Sequence, residues 1–167
     1  LLDGATDYAV PQLEEAYTTS DVLAMSFEQG VPVERLREAD AATRDRVVRL
    51  LLELLFREMF EFGVMQTDPN FANYRFDPET GRVVLLDFGA TRAFAAAVTE
   101  GYRDLLRAGI QGTRDDISRA ALDLGLFGED TAEHHRAAIV ETIDISFEAL
   151  RTPGKFDFGN SELVLRL

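Results

Sequence analysis

The hydrophobic pattern changes period along the chain. Tyr8-Ala9-Val10-Pro11-Gln12-Leu13 and Val22-Leu23-Ala24-Met25-Ser26-Phe27 are short apolar runs parted by polar residues, and they predict two strands. Glu28-Gln29-Gly30-Val31-Pro32 breaks the pattern. From Thr43 to Gly63 the period becomes helical. Val47, Val48, Leu51, Leu54, Leu55, Met59 and Phe62 recur at helical spacing, and Leu50, Leu52 and Phe56 widen the stripe. That width predicts a helix buried on most sides, ending at Gly63. Tyr74-Arg75-Phe76 and Arg82-Val83-Val84-Leu85-Leu86 flank Asp77-Pro78-Glu79-Thr80-Gly81, which predicts a β-hairpin with a longer loop. The rest reads as helices: Ala96 to about Ala108, one opened by the Thr113-Arg114-Asp115-Asp116 capping box and ending near Gly125, and one from about Thr131 to Leu150 before Pro153. A final helix is expected behind Asn160 as N-cap, running to Leu167. The expected fold class is α+β and helix-dominated.

Composition narrows the chemistry. The 167 residues are 46% hydrophobic, with 30 Asp plus Glu against 17 Lys plus Arg, a net charge of −13. This supports a packed domain and disfavours a nucleic-acid groove. There is no Cys, so no disulfide, thiolate zinc site or cysteine nucleophile. No apolar run reaches the length of a transmembrane helix. The two histidines, His134 and His135, are adjacent; on a helix they face different directions and share no metal. Asp77–Gly81 lacks the ligand pattern of a calcium loop. Phe60, Phe62 and Phe71 are assigned to the core, and Arg92 either steers a phosphate or makes a surface ion pair. The only lysine is Lys155.

The hairpin organises the candidate chemistry. Pairing Phe76 with Val83 places Asn73 beside Leu86, so Asn73 and Asp87 emerge at one end. Asp68 lies five residues before Asn73. Two carboxylates and a carboxamide at a strand mouth suit Mg²⁺, which takes a few protein oxygens plus phosphate. Asp87-Phe88-Gly89 after an apolar strand, with Asp68 and Asn73 upstream, is a protein kinase-like arrangement. Asp157-Phe158-Gly159 repeats the tripeptide without that context and reads as a loop.

Gln66-Thr67 stands where classical kinases have His-Arg, and Asn70 where they have Lys. Met65 to Tyr74, Val84 to Arg92, Glu58-Met59-Phe60-Glu61-Phe62 and Phe156 to Gly159 together resemble the UbiB/ADCK family of atypical kinases. The likeness runs from about Tyr8 to the end. It implies a kinase-like C-terminal lobe, with residues 1–30 the end of the small lobe and the hinge, and residues 31–167 a helical large lobe truncated at the C-terminus. By position it makes Asp68 the catalytic-loop residue, Asn73 and Asp87 the metal ligands, and Met25, Ser26, Phe27 and Glu28 the hinge against adenine. It implies ATP and Mg²⁺ as cofactors, a link to ubiquinone biosynthesis, and a lipid or quinone precursor as partner. The implied location is the cytoplasm or the face of an inner membrane, bacterial, mitochondrial or plastid. The family's phosphate-covering parts and phosphate-binding Lys are absent before Tyr8, so residues 1–167 alone are expected to be inactive. Two alternatives stand beside an active kinase or ATPase. One is a pseudokinase scaffold that binds nucleotide. The other is a helical interaction module with accidental motifs, which requires Asn73 and Asp87 to lie far apart.

Overall fold

The computed structural model describes residues 1–2, 4–158 and 160–166. The chain folds as two compact units, Leu1–Phe94 and Ala95–Leu167. The boundary expected at residue 30 falls inside the first unit.

In the first unit a four-stranded sheet has the order β1-β5-β4-β2. Its strands are β1 (Tyr8–Ala9), β2 (Val31–Pro32), β4 (Tyr74–Asp77) and β5 (Arg82–Leu85). A second, two-stranded sheet pairs β3 (Val64–Gln66) with β6 (Thr91–Ala93). The hairpin β4–β5 has the expected register, Phe76 opposite Val83 and Tyr74 opposite Leu85. Its loop is closed by Asp77, whose Oδ1 accepts from the Glu79 amide at 2.9 Å and whose Oδ2 accepts from Thr80 Oγ1 at 2.6 Å. Both carboxylate oxygens are thereby engaged in a turn, not in a cation loop. β1 lies parallel to β5, Tyr8 opposite Val83.

The helix α1 (Ala41–Arg57) covers this sheet. Asp40 caps it, accepting from the Thr43 amide at 2.9 Å. Val47, Leu50 and Leu54 pack with Tyr8, Leu36, Phe76, Val83 and Leu85 into one core. Each fully buried side chain of this kind contributes about 1.5–3 kcal/mol. The Tyr8 hydroxyl donates to Leu50 O at 2.8 Å; burial, and next the charge of Glu53, push its pKa up to about 12.

Several expectations are corrected here. The two N-terminal runs form only the two-residue β1 and a bridge, Leu13 opposite Met25, extended by Glu14 N to Ala24 O and Ser26 N to Gln12 O; Pro11 supplies no ladder donor. α1 buries one face only. Val48, Leu52, Leu55 and Phe56 are exposed, because the sheet covers a single side. Phe71, assigned to the core, is 59% exposed, at the start of a one-turn helix outside the sheet.

The second unit is helical: α2 (Ala96–Gln111), α3 (Arg114–Asp123), α4 (Glu133–Ser146), α5 (Glu148–Arg151) and α6 (Leu163–Arg166). Its core joins Leu105, Ala108, Ile117, Ala121, Phe127 and Val140. The capping box forms as read: Asp116 Oδ2 accepts from the Thr113 amide at 2.9 Å, and Thr113 Oγ1 from the Asp116 amide at 3.3 Å. The helix expected over 131–150 is two, α4 and α5, parted at Phe147. That ring packs so closely on Gly109 that a Cβ there would lie 2.5 Å from it. His134 and His135 are exposed, yet their rings tilt together with centroids 4.0 Å apart, closer than their adjacent helical directions suggested. Asn160 is not the final N-cap. It bonds back to Asp157, and Ser161 Oγ accepts from the Leu163 amide where α6 begins. Gly159 of the second Asp-Phe-Gly and Leu167 lie outside the described residues.

Candidate functional site

The path into the site starts where α1 ends. Its last turn widens to a π-turn, Glu58–Phe62, and Gly63 stops it in the left-handed region at φ 62°. The chain then enters β3, antiparallel to β6, with Gln66 opposite Thr91. This brings the segment before Asp68 against the segment after Asp87. Thr67 adds a cross-link, its amide and Oγ1 both donating to Ala90 O, at 3.2 and 2.6 Å.

After Asp68 the chain makes a tight polar turn. The Asn70 amide donates to Asp68 O at 2.8 Å, and Asn70 Oδ1 accepts from the Ala72 amide at 3.0 Å. Short polar side chains favour such local closure. The turn delivers Asn73 to the start of β4. There its carbonyl accepts from the Leu86 amide at 3.0 Å, one residue before Asp87. Its side-chain Nδ2 donates to Asp68 O at 3.4 Å. Asp87 Oδ1 accepts from the Gly89 amide at 2.8 Å. Asp68, Asn73 and Asp87 thus gather at one end of the hairpin. Asp68 and Asp87 are exposed and Asn73 is half-buried.

Gln66 is the residue that sequence reasoning missed. Its side chain is buried at 8% exposure, and both ends of its amide are engaged. Oε1 accepts from the Asp68 amide at 3.1 Å, and Nε2 donates to Asp87 O at 2.6 Å. Glu58 Oε2 accepts from the Gln66 backbone amide at 3.1 Å. Burial pushes the Glu58 carboxyl above the usual range, against the pull of that hydrogen bond. Burial raises Tyr74 as well, followed by the negative charges of Glu58 and Asp68.

The donor set suits a hard cation. Asn73 has its amide nitrogen engaged, which leaves Oδ1 as a candidate ligand; Asp87 has Oδ1 engaged, which leaves Oδ2. Among the described residues no group of three or more His, Cys, Asp or Glu is placed to hold a metal. Two protein oxygens therefore fit Mg²⁺ only if phosphate and water complete its shell, the usual habit of that ion.

The Met25–Glu28 segment is held by local hydrogen bonds. Ser26 Oγ accepts from the Gln12 amide and donates to Glu28 Oε1, each at 2.8 Å. Met25 and Phe27 are exposed. Glu28, with Gln12, Val10 and Arg82, lines a cavity of about 910 Å³. Among the described residues no hydrogen bond joins Met25–Glu28 to Asp68, Asn73 or Asp87. The link is indirect, through Gly30, whose carbonyl accepts from Arg75 Nε and a terminal guanidinium nitrogen on β4 at 2.9 and 2.5 Å. Arg92, on β6, is exposed and makes no ion pair among the described residues.

Residues 2–121 match the model of the ABC1 atypical kinase-like domain. The chain is 35% identical over 160 residues to the mitochondrial atypical kinase COQ8B of Rattus norvegicus, covering 96% of this chain and 30% of that protein. To the mitochondrial atypical kinase COQ8 of Saccharomyces cerevisiae it is 29% identical over 169 residues, with 100% and 34% covered. The chain thus spans between about a sixth and a third of the length of the curated relatives it matches. The solved Rv3197–erythromycin complex from Mycobacterium tuberculosis has TM-score 0.72 and 21% identity, over 89% of this chain and 37% of that one. That likeness is one of fold, a protein kinase-like lobe.

Proposed function

The chain belongs to the family of ABC1 atypical kinase-like domains, and on that premise we propose that it carries the Mg-ATP-facing catalytic loop of an atypical kinase or ATPase. Asp68 would orient or deprotonate the acceptor oxygen, an alcohol or water, as that oxygen bonds the γ-phosphorus and the bond to ADP breaks. Asn73 Oδ1 and Asp87 Oδ2 would hold Mg²⁺, whose chemistry is to neutralise phosphate charge. Met25–Glu28 would meet the adenine as a hinge, with residues 1–30 ending the small lobe and 31–167 belonging to the large lobe. The observation that carries the reading is the Asn73 carbonyl on the Leu86 amide, with the Asn73 side chain on Asp68 O. It speaks against accidental motifs, which required distance.

By kinship with proteins named for mitochondria, we place the protein at the face of an inner membrane, serving ubiquinone biosynthesis, with a lipid or quinone precursor as partner. Among the described residues no helix is long and apolar enough to cross a membrane.

A pseudokinase scaffold is the second reading. It binds nucleotide without transferring phosphate and shares every motif named above, so turnover is what separates the two. Calorimetry and turnover on the full-length protein, with and without lipid, test both readings. Asp87→Asn keeps the Gly89 contact but removes the charge, so Mg-ATP affinity should fall at least tenfold, the scale seen for lesser changes around metals. Asp68→Asn should spare binding and lower turnover about 100-fold or more. Equal, small effects of both changes on both quantities refute the assignment. Nucleotide binding without turnover selects the scaffold.

A further inference from the structure

We infer that Gln66 is the positioning residue of this site, its carboxamide setting the spacing between the Asp68 loop and Asp87. The inference rests on the proposed Mg-ATP reading for its consequence, but its geometry is independent of it. Gln66 is the only buried amide or charged side chain among the described residues. Its two partners are the backbone groups of the two carboxylate residues themselves, the Asp68 amide and the Asp87 carbonyl. The amide orientation is fixed by chemistry: an N–H can be met only by Oε1, and a carbonyl only by Nε2.

The backbone of Gln66 is held from both sides. Glu58 Oε2 takes its amide proton, and β3 pairs with β6 at Thr91. The side chain therefore projects from an anchored point, and its length sets a fixed separation. Few residues can do this. Leu offers neither donor nor acceptor, Asn is one methylene short, and ionised Glu accepts but cannot donate. Thr67 bonds Ala90, three residues beyond Asp87, and leaves the Asp87 carbonyl itself untouched. Catalytic groups displaced by about 1 Å can cost about 100-fold in rate, so this spacing is where a small change would be felt.

The test uses Gln66→Leu and Gln66→Glu in the full-length protein, with three readouts. Amide exchange at Asp68 should speed at least tenfold in Gln66→Leu, while the Thr67 amide, bonded to Ala90 O, stays protected. Turnover of ATP should fall about 100-fold, with KM for ATP moving far less. Gln66→Glu should gain a new pH dependence, with activity rising as pH falls, since only the protonated carboxyl can donate to Asp87 O. If Gln66→Leu fails to fold, the pH profile of Gln66→Glu decides. Unchanged Asp68 exchange in a folded Gln66→Leu, kcat within about twofold of the parent, or a Gln66→Glu profile identical to the parent's overturns the inference. If Asp87→Asn leaves Mg-ATP binding intact, the functional reading fails instead, and Asp68 exchange still judges Gln66.

Discussion

Gly30 couples the Met25–Glu28 segment to the hairpin that bears Asn73 and leads to Asp87, and its replacement by Ala can be costed from the structure. Its φ is 141°, which L side chains rarely adopt. An added Cβ would meet Phe76 O at 3.0 Å and the Arg75 Cβ at 3.2 Å. Backbone strain costs about 1–3 kcal/mol. Crowding adds about 1 kcal/mol or more, because a carbonyl in a strand ladder cannot move aside freely. The smaller unfolded-state entropy of Ala returns about 0.4–1 kcal/mol. Net destabilisation should be about 1–4 kcal/mol. Gly63→Ala is the control: φ there is also positive, at 62°, but nothing lies within 4 Å of the added Cβ. It should cost only about 1 kcal/mol. Urea unfolding followed by tyrosine fluorescence suits the comparison, since three of the four tyrosines, Tyr8, Tyr17 and Tyr74, lie in the first unit. With slopes of about 1–3 kcal/mol per molar urea, the two midpoints should differ by about 1 M. A Gly30→Ala midpoint no lower than that of Gly63→Ala would refute the steric argument.

Glu58→Gln should raise stability at neutral pH. The folded state holds this carboxyl above its ordinary pKa through burial, so its contribution is favourable in acid and lost as pH rises through the folded value; melting curves of parent and variant should converge in acid and separate above the glutamate range. Asp116 has the opposite sign. The Thr113 amide and hydroxyl, then Arg119, hold its carboxyl below the usual range, so its stabilisation is present above that range and fades as pH falls through the lowered value. Asp116→Asn should flatten this acid limb, and Thr113→Ala should cost about 1 kcal/mol at neutral pH by removing the cap, both read as shifts in Tm.

Legibility in the sequence followed the range of the interactions. The hairpin could be read because strand alternation and the Asp77–Gly81 turn are local, and a period of two leaves one sensible register. From Phe76 opposite Val83, the meeting of Asn73 with Leu86 followed by counting. The capping box at Thr113 is equally local. Where two apolar faces compete, the pattern misled: α1 carries Val48, Leu52, Leu55 and Phe56 opposite its buried Val47, Leu50 and Leu54, and apolar spacing cannot say which face the sheet will cover.

Asp68 was read into the site from its spacing to Asn73, but what holds it there was hidden. Its place does not follow from the hairpin but from β3 and β6, three residues each, with β6 exposed throughout. Strands that short, held by backbone pairing, leave no periodic trace. Gln66 sits in a polar stretch next to a turn, where a Gln carries no signal. What makes it matter is the Asp87 carbonyl, 21 positions away in sequence, and a buried amide becomes legible only when its partners are known. The two halves of the candidate site are therefore specified differently. Asn73 and Asp87 are set by one register, which many substitutions would leave intact. Asp68 is set against them by the β3–β6 pairing, by Thr67 and by the Gln66 carboxamide, and for the last the side-chain chemistry offers few replacements.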